Sequence, residues 1–86
     1  MASKRFKVIF NPSAQKEVES LDTEDAVRFV KEMGSYLEIS PFPFGETRIK
    51  KLTGFDPPLY RLRSGALRAY YHIVAGKVII LAVTRK

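Results

Sequence analysis

Residues 59 to 73, Leu-Tyr-Arg-Leu-Arg-Ser-Gly-Ala-Leu-Arg-Ala-Tyr-Tyr-His-Ile, decide the fold, because they read as two strands joined by a tight turn at Ser64-Gly65. Successive side chains of a strand point to opposite faces, so Arg61 and Arg63 share one face while Tyr60 and Leu62 share the other. The next segment repeats the alternation: Arg68, Tyr70 and His72 fall on one face, and Leu67, Ala69, Tyr71 and Ile73 on its opposite. Antiparallel pairing sets the two polar rows side by side and yields a sheet face bearing three guanidinium groups. Like charges on facing strands destabilise a sheet, so the cluster points to an anionic partner, phosphate being the obvious one. Ordinary solvent-facing arginines on a half-buried sheet are the plain alternative.

Charge is distributed in a way that supports a partner. The chain has 86 residues and a net charge of +6, but residues 1 to 45 hold six basic side chains against seven acidic ones. The remainder holds nine basic residues and only Glu46 and Asp56 as acids, so the C-terminal half carries the positive field. Such a field attracts nucleic acid, and it would equally attract an acidic protein or an anionic membrane. The length predicts a single domain over residues 1–86 with one core. No transmembrane span or signal peptide is legible, which predicts a cytoplasmic protein with no membrane partner. Cysteine is absent and histidine occurs once, which excludes disulfides, thiolate catalysis and the usual zinc sites; no metal or cofactor is expected.

Outward from the hairpin the elements follow in order. Arg5 to Phe10 alternates as a strand. Asn11-Pro12 then offers an N-cap and a proline suited to the first helical position, predicting a helix from Pro12 to about Leu21 with Ala14, Val18 and Leu21 inward. Asp22 or Thr23 caps a second helix, whose inner stripe is expected from Ala26, Val30, Met33 and Leu37, widened by Val27 and Tyr36, up to the break at Ser40-Pro41. Glu17, Glu19, Glu24, Glu32 and Glu38 are expected on the solvated outer face of this helical hairpin. Phe42 and Phe44 are expected to pin the crossing to the sheet. Arg48 to Thr53 reads as a strand with Leu52 buried, but Ile49 has the opposite parity, so a bulge is a possibility and Lys50 and Lys51 take no assigned face. Lys77 to Thr84 is apolar on both sides, the pattern of an interior strand covered on both faces. The fold class is therefore α+β: an N-terminal strand, a helical hairpin, then a three- to four-stranded antiparallel sheet, in two layers.

These residues resemble the RelE/ParE superfamily of small toxins from prokaryotic type II toxin-antitoxin systems. The order of elements carries the resemblance along nearly the whole chain. It is strongest in Lys-Lys-Leu-Thr-Gly (50 to 54), in Tyr-Arg-Leu-Arg-Ser-Gly-Ala-Leu-Arg-Ala-Tyr-Tyr (60 to 71) and in the closing Thr84-Arg85-Lys86. A RelE-like toxin would be a ribosome-dependent messenger-RNA endoribonuclease, an mRNA interferase. In that chemistry the 2′-hydroxyl attacks the adjacent phosphate and leaves a 2′,3′-cyclic phosphate and a free 5′-hydroxyl, with no metal. The resemblance implies catalytic roles for Arg61, Arg68 and Arg85, converging on one pocket, and RNA contacts by Arg48, Lys50, Lys51, Arg63 and Lys86. Toxins of this kind often carry a tyrosine in a tail beyond the last arginine, whereas the present sequence ends at Lys86. Either that tail is missing from it, or proton transfer falls to His72, Tyr70 or a ribosomal group. Imidazole suits a general base at neutral pH, although a lone strand histidine is also compatible with a passive surface position. Implied partners are a cognate antitoxin in a hetero-oligomer, messenger RNA on the ribosome, and ribosomal RNA. Two other readings remain: a ParE-like inhibitor of DNA gyrase without nuclease activity, and a basic domain that only binds RNA or protein.

Overall fold

The computed structural model describes residues 5–43 and 48–85. Strand β1 (Lys7–Phe10) leads into helix α1 (Pro12–Glu19) and helix α2 (Thr23–Ile39), followed by β2 (Ile49–Leu52), β3 (Leu59–Ser64), β4 (Leu67–Val74) and β5 (Lys77–Arg85). All five strands form one sheet in the order β1-β5-β4-β3-β2. The four strands after the helices are antiparallel to their neighbours, while β1 lies parallel to β5 at the edge. The α+β expectation therefore holds, with four strands following the helices and β1 completing the sheet.

Local chemistry accounts for the boundaries. Asn11 caps α1, its side-chain oxygen accepting from Ala14 N–H at 2.8 Å, and Pro12 takes the first helical position. The β3–β4 turn is formed by Gly65 and Ala66, one residue later than the sequence suggests. Gly65 sits at φ +60°, a conformation that costs glycine nothing. The β4–β5 turn places both Ala75 (φ +49°) and Gly76 (φ +77°) in the left-handed region, where the turn's twist matches that of the flanking strands.

One face of the sheet carries the core. Ala14 and Val18 from α1 and Phe29, Met33 and Leu37 from α2 pack against Ile49, Tyr60, Leu62, Leu67, Ala69, Tyr71, Val78, Ile80 and Val83. The inner stripe of α2 is thus Phe29-Met33-Leu37, spaced by four residues, with Ala26 beside it; Val27 and Val30 point outward and are 61% and 38% exposed. Phe29 escaped the sequence reading because Val30 competes with it for the same turn. In β2 the buried residue is Ile49, and Leu52 is only half-buried; the register with β3 runs unbroken, so no bulge is needed there. Phe42 stands edge-on to Phe6 and Tyr60, with ring centroids 5.7 and 6.2 Å apart, which pins the start of the crossing; Phe44 lies outside the described residues. Beside it, buried Pro41 offers its carbonyl to the Tyr71 hydroxyl at 2.7 Å. Burial, reinforced by the neighbouring Tyr60 and Tyr36 hydroxyls, pushes the Tyr71 phenol well above the ordinary tyrosine range, so it remains a donor.

A sheet irregularity lies on β5. Tyr70 pairs with Ala82 but Tyr71 with Ile80, which leaves Leu81 as an extra residue and shifts the alternation of the strand beyond it. Ile80 and Val83, three apart, therefore both face the helices. β5 is interior to the sheet as expected, but helices cover only one of its faces: Ile79, Leu81 and Ala82 remain half-buried on the other. Glu17 also departs from the expected solvated surface. Its carboxylate accepts from Val83 N–H at 3.0 Å, where β5 has outrun β1 and would otherwise expose an unpaired donor.

Candidate functional site

The face of the sheet turned away from the helices is assembled by strand register. Lys50 pairs with Arg61, and Arg61 with Tyr70; one rung further along, Arg63 pairs directly with Arg68. Alternation along β4 puts His72 on the same face, one rung beyond Tyr70 in the other direction. Lys50, Arg61, Arg63 and Arg68 therefore form a cationic patch bordered by Tyr70 and His72. The rung that carries His72 is otherwise apolar, with half-buried Leu52, Leu59, Ile79 and Ile9.

Among the described residues, no ion pair neutralises this patch. Among the described residues the ion pairs are Arg28 with Asp25 at 2.8 Å and Arg85 with Asp25 at 3.7 Å, and neither involves the four patch cations. Arg63 and Arg68 oppose each other across the strands, an arrangement that costs stability unless an anion intervenes. The Arg61 side chain is partly sheltered, and its Nε–H is buried with no hydrogen-bond partner among the described residues. A buried donor left unpaired typically costs about 1–3 kcal/mol, so Arg61 is held on this face at a cost to stability. Guanidinium groups suit that role because their planar fork donates two parallel hydrogen bonds to phosphate oxygens and stays charged.

His72 has a different kind of neighbour. Its Nδ1 lies 2.8 Å from the carbonyl oxygen of Pro58, in the loop that precedes β3. A carbonyl only accepts, so Nδ1 carries the hydrogen and Nε2 is the basic nitrogen of the neutral ring.

Register does not bring every expected residue into the patch. Arg85 pairs with Leu67 and follows Val83 in alternation, so the Leu81 irregularity sends it to the helix-side face, where it meets Asp25. The convergence of Arg61, Arg68 and Arg85 on one pocket is therefore not what the fold provides: the first two share the open face and the third lies behind it. Lys51 pairs with Tyr60 and belongs by parity to the helix side of the edge strand. The Arg48 carbonyl accepts from Arg63 N–H at 3.0 Å, yet its side chain joins Arg85, Arg28, Asp25 and Glu32 around a cavity of about 380 Å³ at the end of the β3–β4 hairpin. Glu32 there accepts from the Ser64 hydroxyl at 2.9 Å, so this second cluster mixes both signs of charge and is internally paired. Lys86 lies outside the described residues. Sequence parity found the patch but could not foresee the one-residue slip in β5, since an all-apolar run has no polar marker to reveal which residue is extra.

Among the described residues no cluster of three or more His, Cys, Asp or Glu side chains could hold a metal ion, and no helix is long and apolar enough to cross a membrane.

No family model matches this sequence, and no curated protein sequence matches it. Solved structures do resemble it. A chain of the RelBE2 toxin-antitoxin complex from Mycobacterium tuberculosis superposes with a TM-score of 0.84 at 21% identity, over 99% of this chain and 95% of that one. A chain of the archaeal RelE-RelB complex from Pyrococcus horikoshii superposes with a TM-score of 0.74 at 26% identity, over 93% of each chain. The isolated E. coli RelE toxin gives 0.68 at 21% identity, over 93% of this chain and 83% of that one.

Proposed function

From the premise that this chain has the RelE-like toxin fold, we propose that it is the toxin of a type II toxin-antitoxin pair and acts as a metal-independent endoribonuclease on ribosome-bound messenger RNA. The observation that carries this reading is the cationic face, on which Arg63 faces Arg68 and for which no ion pair is found among the described residues. Attack of a 2′-hydroxyl on its neighbouring phosphodiester builds extra negative charge on the phosphorane oxygens. Donors already fixed in place stabilise that charge at no reorganisation cost, so electrostatic stabilisation is the main catalytic contribution that such a face can make. Arg61 and Arg68 are the groups for that task, and Lys50 and Arg63 hold flanking phosphates with an affinity that falls as salt rises.

The same face supports the partner reading. Its apolar rung beside the arginines suits a chain that alternates apolar and acidic side chains, as an antitoxin would to cover the patch when the toxin must be silent. The structures similar to this one include toxins solved in complex with RelB antitoxins.

Inducible expression of the open reading frame, with mapping of transcript 5′ ends, tests the proposal. Growth arrest with new 5′-hydroxyl ends inside translated regions, abolished by Arg68→Ala, is the expected result. Arrest accompanied by loss of supercoiling activity and intact transcripts would replace the nuclease by a gyrase inhibitor.

A further inference from the structure

We infer that His72 is the general base of this site, held in one tautomer by the Pro58 carbonyl; the inference rests on the nuclease reading above and names the group that moves the proton. Four observations lead to it. Arginines remain protonated at any working pH, so Arg61, Arg63 and Arg68 stabilise charge but accept no proton. A base on this face must therefore come from another residue type, and strand register supplies three, Lys50, Tyr70 and His72, of which only imidazole exists in quantity as a neutral base near pH 7. The Nδ1 contact with Pro58 O at 2.8 Å fixes which nitrogen is basic: Nδ1–H donates to the carbonyl and Nε2 is left as the acceptor. Finally, the ring is half-buried and lies one rung from the Arg61–Tyr70 pair, close enough for one nucleotide to span base and guanidinium.

The titratable groups around the ring are few. Tyr70 and Arg68 precede it on β4, Arg61 lies diagonally across on β3, Lys77 stands at the start of β5, whose Ile79 pairs with His72, and Asp56 is in the loop that supplies Pro58.

The step balances without any oxidant or metal. Nε2 takes the hydrogen of the 2′-hydroxyl as the O2′–P bond forms and the P–O5′ bond breaks. Water protonates the departing 5′-oxygen, and the hydroxide so formed recovers the proton from the His72 imidazolium, restoring the neutral ring. Arg61 and Arg68 meanwhile hold the phosphorane oxygens.

Single-turnover cleavage of messenger RNA on programmed ribosomes, measured across pH, tests the assignment with two variants. His72→Asn keeps a donor where Nδ1–H stands, and so keeps the tie to Pro58, but has no base; His72→Ala loses both. The expected result is a loss of about 10²- to 10⁴-fold in rate for both variants, together with disappearance of the rise in rate with pH that the wild type shows as the imidazole deprotonates. Added imidazole should restore part of the activity of His72→Ala. If His72 serves only to anchor the loop, His72→Asn cleaves like wild type and keeps its pH profile, and the inference is overturned while the nuclease reading stands. A wild-type protein that cuts nothing on ribosomes overturns both. Matching melting curves and amide spectra for His72→Asn and wild type exclude unfolding as the cause of any loss.

Discussion

Tyr71 and Arg61 lie on neighbouring strands of one sheet, yet they obey opposite rules. On the helix-covered face Tyr71 is wholly buried and its hydroxyl still reaches the Pro41 carbonyl. On the open face Arg61 keeps a sheltered Nε–H with no acceptor, and Arg63 faces another cation. Even the stray donor at the end of β5 is provided for on the helix side, by Glu17. Folding removes unsatisfied polar groups wherever packing alone decides the outcome. A face that retains a buried unpaired donor and a pair of opposed cations, at a cost to stability, is shaped by something that arrives later.

That contrast is open to direct attack, and Arg68→Ala is the heaviest blow. Removing a preorganised donor from a charge-developing site should lower cleavage about 10²- to 10³-fold, equivalent to roughly 2.7–4 kcal/mol of transition-state stabilisation. The melting temperature should hold steady or rise, because the repulsion between Arg63 and Arg68 disappears. Single-turnover cleavage and thermal melts on the same preparation check both halves. A variant that loses stability along with activity would mean that the patch is structural.

Tyr71→Phe is the mirror experiment on the other face. The ring remains and the hydroxyl goes, leaving the buried Pro41 carbonyl unpaired at a cost of about 1–3 kcal/mol. Urea melts should show the loss, while cleavage per folded molecule should match wild type. A drop in cleavage at full folding would couple the two faces more tightly than the packing suggests.

How much of this was legible beforehand depended on whether polar residues marked the pattern. In β3 and β4 each arginine alternates with an apolar neighbour, so parity assigned the faces correctly through Tyr60, Leu62 and Tyr71. Asn11-Pro12 announced α1 with equal clarity, since cap and first-turn chemistry are local. In α2 two overlapping apolar spacings compete, and only the sheet beneath selects Phe29-Met33-Leu37 over the stripe through Val30. β5 offers no marker at all between Lys77 and Thr84, so the extra residue at Leu81 and the consequent reversal of Arg85 arise from pairing with β4, which no local pattern encodes. The Pro58 carbonyl beside His72 is likewise a contact between segments 14 residues apart.

Arg85 is where the comparison can be sharpened with the smallest perturbation. It ends β5 on the helix side, with its guanidinium 3.7 Å from an Asp25 carboxylate that also binds Arg28, and both partners of the pair are more than a third exposed. An ion pair in such surroundings contributes at most about 1 kcal/mol. Asp25 also sits in the first turn of α2, where a carboxylate favours the positive end of the helix by a further few tenths. Asp25→Ala should therefore lower stability by about 1 kcal/mol or slightly less, an effect that grows at low salt and fades at high salt. Cleavage should be unchanged if Arg85 acts only as a tie between β5 and α2, because Arg61 and Arg68 stand on the far side of the sheet. A cleavage rate that instead rises when Asp25 is removed would show that the freed guanidinium swings around the end of β5 to join the other two, and the division between the faces would then be a balance struck by one carboxylate rather than a fixture of the strand register.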